Sequence, residues 1–162
     1  MFKHILVPLD FRFHAPTTLV TAASLAADQG AMVTLLYVQD LGRDIPATPY
    51  MMISAEEIEE IQRGVTRFLN DAAAIISERG APVMIRIVRG SPVDATIREV
   101  AASIGADLIV MGTHGRGGLA HAWSGSVTED VIRNAGLPVL AVHEPAMQAS
   151  ARTVRVKGVN RP

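Results

Sequence analysis

The chain has 162 residues, the length of one ordinary domain with a core of its own. Hydrophobic residues make up 49% and charged residues 19%, which excludes disorder as the main state, and the 4% of aromatics favours an α/β layered fold over an aromatic-rich sandwich. A net charge of −1 gives no field for bulk nucleic-acid binding, and the absence of cysteine removes disulfides, thiolate nucleophiles and cysteine metal sites.

Ile5-Leu6-Val7, closed by Pro8-Leu9-Asp10, is a short continuous apolar run and reads as a buried strand. Thr17 to Gln29 carries Leu19, Ala22, Ala23 and Ala26 at helical spacing, with Gly30 where a C-terminal cap is expected. Met32 to Val38 predicts a second strand, and Gln39 to Ile53, with Gly42, Pro46 and Pro49, a loop. Ser54-Ala55-Glu56-Glu57 has the form of a capping box. Behind it Ile58, Ile61, Val65, Phe68, Leu69, Ala72, Ile75 and Ile76 recur every three or four residues, the clearest amphipathic helix in the chain. Val83 to Val88 is a third strand. Ser91 before Pro92 predicts a capped helix carrying Ile97, Val100, Ala101 and Ile104, ended by Gly105. Leu108 to Met111 is a fourth strand, Ser126 to Asn134 a fourth helix and Pro138 to Val142 a fifth strand.

Apolar strands alternating with amphipathic helices imply an open parallel sheet covered on both faces. No apolar run approaches the roughly 18 residues that span a bilayer, and the N-terminus lacks the apolar region and cleavage site of a secretion signal. A cytoplasmic protein with no membrane span is expected.

In such a sheet ligands bind beyond the carboxyl ends of the strands, where the winding reverses. Asp10 follows the first strand, and Val38-Gln39-Asp40 closes the second. After the fourth come Gly112, Gly115, Gly117, Gly118 and Gly125, five glycines within 14 residues on a strand-to-helix connection. Glycine admits positive φ and close approach to backbone amides, and the unpaired N–H groups of a helix start attract anions. The stretch reads either as a phosphate cradle or as a surface loop with glycine for turns. It is no Walker loop, and Asp10-Phe11-Arg12-Phe13 stands where a Rossmann fingerprint would begin.

The spacing Gly112-x-x-Gly115, nine residues, then Gly125-Ser126 resembles the signature of the universal stress protein family. Val7-Pro8-Leu9-Asp10, Leu36-Tyr37-Val38 and Val127 to Ile132 leading into Pro138 to Val142 agree with it, so the resemblance covers residues 2 to 144. It implies a five-stranded parallel sheet in the order 3-2-1-4-5 and membership of the ATP-binding subclass. Carried over by motif, Pro8 would belong to the nucleotide site, Asp10 would hold ribose hydroxyls, and the backbone of Val38 would meet the adenine. Gly112, Gly115, Arg116, Gly125, Ser126 and Val127 would surround ribose and phosphates. Magnesium would come with the nucleotide, held mainly by phosphate and water. Where the family often has Asp-x-Ser, this chain has Arg12.

Each residue has a plainer reading. Asp10 can cap the following helix, Arg116 can be a solvated charge, and Ser126-Val127-Thr128-Glu129 is itself a capping box. None of the five histidines sits in a ligand-spaced pair with a carboxylate, so no protein-built metal site is expected. Two functions compete: a nucleotide-binding regulatory protein of the stress response, and a slow ATP-hydrolysing or phosphoryl-transfer enzyme on the same site. Phosphoryl transfer asks for a positioned nucleophile and γ-phosphate stabilisation, for which the loop offers amides and Arg116 but no lysine or paired carboxylates. A receiver domain would need an aspartate after the third strand, which ends Arg89-Gly90-Ser91 instead.

The fifth strand, an apolar sheet edge in the family's strand order, predicts a homodimer, with a higher oligomer as a further option. Residues 145–162 stand apart from the domain at 1–144 as a basic tail. Arg152, Arg155, Lys157 and Arg161 oppose no acid there, leaving −5 on the rest of the chain. The tail reads either as an unstructured end or, through the alternation at 154–157, as one added strand.

Overall fold

The computed structural model describes residues 1–11, 15–40, 54–113 and 127–144. They form β1 (His4–Pro8), α1 (Pro16–Gln29), β2 (Met32–Gln39), α2 (Ala55–Ser77), β3 (Val83–Arg89), α3 (Val93–Ile104), β4 (Leu108–Thr113), α4 (Val127–Asn134) and β5 (Val139–His143). The five strands are parallel and lie in the order β3-β2-β1-β4-β5. Of the loop predicted from Gln39 to Ile53, Gln39 instead closes β2, where it pairs with Arg89, and residues 41–53 fall outside the described residues, as does the tail at 145–162.

Alternation along the central strands builds two cores. Ile5, Val7, Val33, Leu35, Leu108 and Val110 face α1 and α2, where Leu19, Ala22, Ala26, Val65, Leu69 and Ile76 meet them. Leu6, Leu36, Ile109 and Met111 face α3 and α4, against Ile97, Val100, Ala101 and Val131. Ile5, Leu6 and Val7 are all fully buried, and each such side chain contributes about 1.5–3 kcal/mol on removal from water. The small residues of α1 let that helix lie close on β1, and Gly30, at φ 64°, turns the chain into β2.

Coverage on both faces holds for β1, β2 and β4 but not for the edges. Two helices per face do not span five strands, so Met84, Ile85 and Ile87 of β3 are 57%, 39% and 50% exposed. The capping box at the start of α2 is complete: Ser54 Oγ accepts from the Glu57 N–H at 3.2 Å, and Glu57 Oε2 accepts from the Ser54 N–H at 2.7 Å. The cap expected from Ser91 is not made. Pro92 occupies the residue before α3, one step later than the expected cap, and the Ser91 hydroxyl instead donates to Asp40 Oδ2 at 3.2 Å. A buried carboxylate just after β2 takes that hydroxyl instead of the helix.

At the amino ends of the strands, Asp107 accepts from the Lys3 N–H at 2.8 Å and the His4 N–H at 3.1 Å. The His4 ring lies between the Ile104 carbonyl at 3.1 Å and Thr34 Oγ1 at 2.7 Å. No helix among the described residues is long and apolar enough to cross a membrane.

Candidate functional site

The winding reverses between β1 and β4, and the pairing there stops early. β1 and β4 are matched only at Ile5↔Leu108 and Leu6↔Ile109, whereas β4 runs on beside β5 to Thr113↔His143 and β1 beside β2 to Pro8↔Leu36. The two central strands therefore part at their carboxyl ends and open a crevice. Pro8, the last residue of β1, stands on one wall, with Asp10 half-buried two residues on. Gly112 stands on the other wall, next to last in β4.

Val38 contributes main-chain groups. Successive residues of a parallel strand turn their N–H and C=O alternately to the two neighbours. The Leu36 carbonyl accepts from the Leu9 N–H at 2.8 Å on the β1 side, and the Gln39 carbonyl accepts from the Gly90 N–H at 3.2 Å on the β3 side. Val38 therefore directs its donor and acceptor past the end of β1, towards the crevice. Its side chain packs against the core on the α3 side, as do those of Val88 and Val93. The rim beside it is tied to β3 by Ser91 on Asp40 and by Arg89 Nε on Gln39 Oε1 at 3.3 Å.

Gly112 is gripped from both faces. Thr128 Oγ1, in the first turn of α4, donates to the Gly112 carbonyl at 3.3 Å and so brings the amino end of α4 to the end of β4. On the other face a Cβ at Gly112 would lie 2.9 Å from Thr18 Oγ1, 3.5 Å from Glu144 Cγ and 3.9 Å from Ala15 Cβ. Thr18 is fully buried, so a side chain at 112 displaces the Thr18 hydroxyl or shifts α1.

Thr18, Thr128 and Glu144 were absent from the sequence-derived set. Glu144 follows β5 directly and reaches the start of α1. Its Oε1 accepts from the Thr18 N–H and hydroxyl, both at 2.6 Å, and its Oε2 from the Thr17 N–H at 3.2 Å. Burial alone would raise the Glu144 carboxyl, but the bonds from Thr18 and Thr17 outweigh it and hold it below its ordinary value. The readable signal was the lack of any cap in α1 itself: Ala15 precedes the helix, and its first turn holds no acid.

Of the sequence-predicted site residues, Pro8, Asp10, Val38 and Gly112 are brought to the crevice. Val127 opens α4 beside Thr128. Gly115, Arg116, Gly125 and Ser126 lie outside the described residues, as does Arg12. Among the described residues no three His, Asp or Glu side chains gather as a metal site would require.

The sequence profile of the Universal stress protein family matches residues 1–143. Universal stress protein MJ0577 of Methanocaldococcus jannaschii is 31% identical over 156 residues, covering 88% of this chain and 95% of its own. The solved structure of MJ0577 superposes with a TM-score of 0.71 at 29% identity, over 90% of this chain and 99% of that one. A universal stress protein solved in complex with cAMP gives a TM-score of 0.64 at 26% identity, over 88% and 97% of the two chains. The universal stress protein of Archaeoglobus fulgidus in complex with dAMP gives 0.58 at 25% identity, over 86% and 96%.

Proposed function

The chain belongs to the universal stress protein family, and on that premise we propose that it is a regulatory protein of the stress response that binds ATP in the crevice between β1 and β4. The observation that carries this reading is the coincidence of three features at one place: the parting of β1 and β4, the crevice-facing main chain of Val38, and Gly112 opening the glycine signature. A paired N–H and C=O on one strand suits the adenine edge, which offers a ring acceptor beside an amino donor. Asp10, with Pro8 beside it, takes the ribose hydroxyls. Gly115, Arg116, Gly125, Ser126 and Val127 take ribose and phosphates, helped by the amino end of α4. Relatives that bind cAMP and dAMP share the adenine and the phosphate ester with ATP and support the same pocket.

Magnesium enters with the nucleotide. The binding reading is preferred to catalysis because the charge that phosphoryl transfer concentrates at the γ-phosphate would fall to Arg116 and amides alone. The same reading makes the protein a cytoplasmic homodimer paired through β5, an edge strand whose Leu140 is 36% exposed.

Calorimetry with ATP and magnesium tests the site. The wild-type chain should bind, and Gly115→Val, which crowds the signature with a β-branched side chain, should lose measurable binding. Unchanged affinity in that variant would remove the glycine signature from the account. Brisk multiple-turnover phosphate release by the wild type would replace the binding function with an enzymatic one.

A further inference from the structure

We propose that Glu144 is a positioning residue for the phosphate half of the nucleotide site, acting through Thr18 on Gly112; the inference rests on the ATP reading above. The contact spans three elements. Glu144 leaves the end of β5, crosses the end of β4 and binds the first turn of α1. Its carboxylate collects three donors, two main-chain N–H groups and the Thr18 hydroxyl. The hydroxyl it orients is the one a Cβ on Gly112 would meet first, at 2.9 Å. Glu144 Cγ closes the same side at 3.5 Å.

The chemistry of the contact is specific to a carboxylate. α1 begins on Ala15 and has no acid in its first turn, so its exposed N–H groups and partial positive charge have no counterpart within the helix. A helix start of that kind beside a polyphosphate pocket would itself attract phosphate. Glu144 fills it from within. The negative charge of the ligand is thereby left to the glycine segment and to α4, and Gly112 is held where that segment begins. A neutral amide in place of the carboxylate would turn an N–H donor towards at least one N–H of α1, so Glu144→Gln breaks the arrangement without changing its size.

Gly112 stands at the phosphate side of the crevice and Val38 at the base side, so the two halves of the ligand report separately. The test is the affinity of the full chain for ATP and for adenosine, measured by calorimetry in wild type, Glu144→Gln, Thr18→Val and Thr18→Ser. Glu144→Gln and Thr18→Val should each weaken ATP by about tenfold and leave adenosine within about twofold. Thr18→Ser, which keeps the hydroxyl, should restore wild-type ATP affinity. The double variant Thr18→Val with Glu144→Gln should lose less ATP affinity than the two single losses combined, because both act through the Thr18 hydroxyl. Equal weakening of ATP and adenosine would mean that Glu144 only stabilises the fold, and unchanged ATP affinity in both single variants would remove it from the site; either overturns the inference. Should Glu144→Gln fail to fold, the Thr18 pair decides alone. A wild-type chain that binds neither ligand overturns the proposed function and this inference together, whereas a binding wild type with unaffected variants overturns only this one.

Discussion

The two ends of the sheet are built from the same kinds of groups and use them differently. At the amino ends the polar atoms close on one another: Asp107 takes the main-chain N–H groups of Lys3 and His4 where β1 begins, and the His4 ring bridges α3 and β2. At the carboxyl ends β1 and β4 separate after Leu6↔Ile109, and Val38 turns its main chain past the end of β1. One end ties strands and helices together, and the other keeps a gap between them. Glu144 is the point where the closing style of the amino end appears at the open one.

The sharpest break of this contrast is Gly112→Ala. The added Cβ meets a buried Thr18 hydroxyl that is itself bonded to Glu144, so relief breaks that bond or shifts α1. We expect a loss of about 1–3 kcal/mol in urea unfolding together with a loss of ATP affinity. The matching change at the other end, Asp107→Asn, should cost on the order of 1 kcal/mol and leave ATP affinity unaltered. Burial alone would raise the Asp107 carboxyl, but the Lys3 and His4 amides and its own outweigh it, with help from His4, and hold it below its ordinary value. A lowered folded-state value gives stability that is complete above the unfolded-state value and is lost as pH falls through the folded one. The gap in unfolding free energy between wild type and Asp107→Asn should therefore narrow from about pH 7 to about pH 3. A constant gap would deny the carboxylate its role. The smallest effect is expected from Ser54→Ala, which opens the capping box of α2 away from both ends. It should lower Tm by about 2–4 °C with ATP binding intact.

Local signals carried most of the architecture. The apolar runs marked all five strands, and the strand order implied by the family resemblance is the order observed. The capping box at Ser54 is a four-residue pattern and formed as its spacing predicts. Ser91 misled because the same local pattern had a distant competitor: Asp40 lies 51 residues away in sequence and draws the hydroxyl off the helix. Glu144 was illegible for the same reason, since its partner Thr18 is 126 residues distant. The exposed side chains of β3 were read as buried because an apolar run does not reveal whether its strand is central or at an edge. At the crevice, Asp10 and Gly112 were visible as residue types. The direction of the Val38 main chain was not, because it depends on where β1 ends.

The strand order also sets a timetable for synthesis. β1 is made before the other four strands, yet its neighbour β4 begins only at Leu108, roughly 100 residues later. At about 5–20 residues per second that interval lasts about 5–20 s. Until then the side of β1 that will meet β4 has no strand to pair with, although Ile5, Leu6 and Val7 become fully buried in the finished molecule. The centre of the sheet is thus the part of the nascent chain that waits longest for its cover, and a ribosome paused before Leu108 presents an apolar strand edge open to other chains.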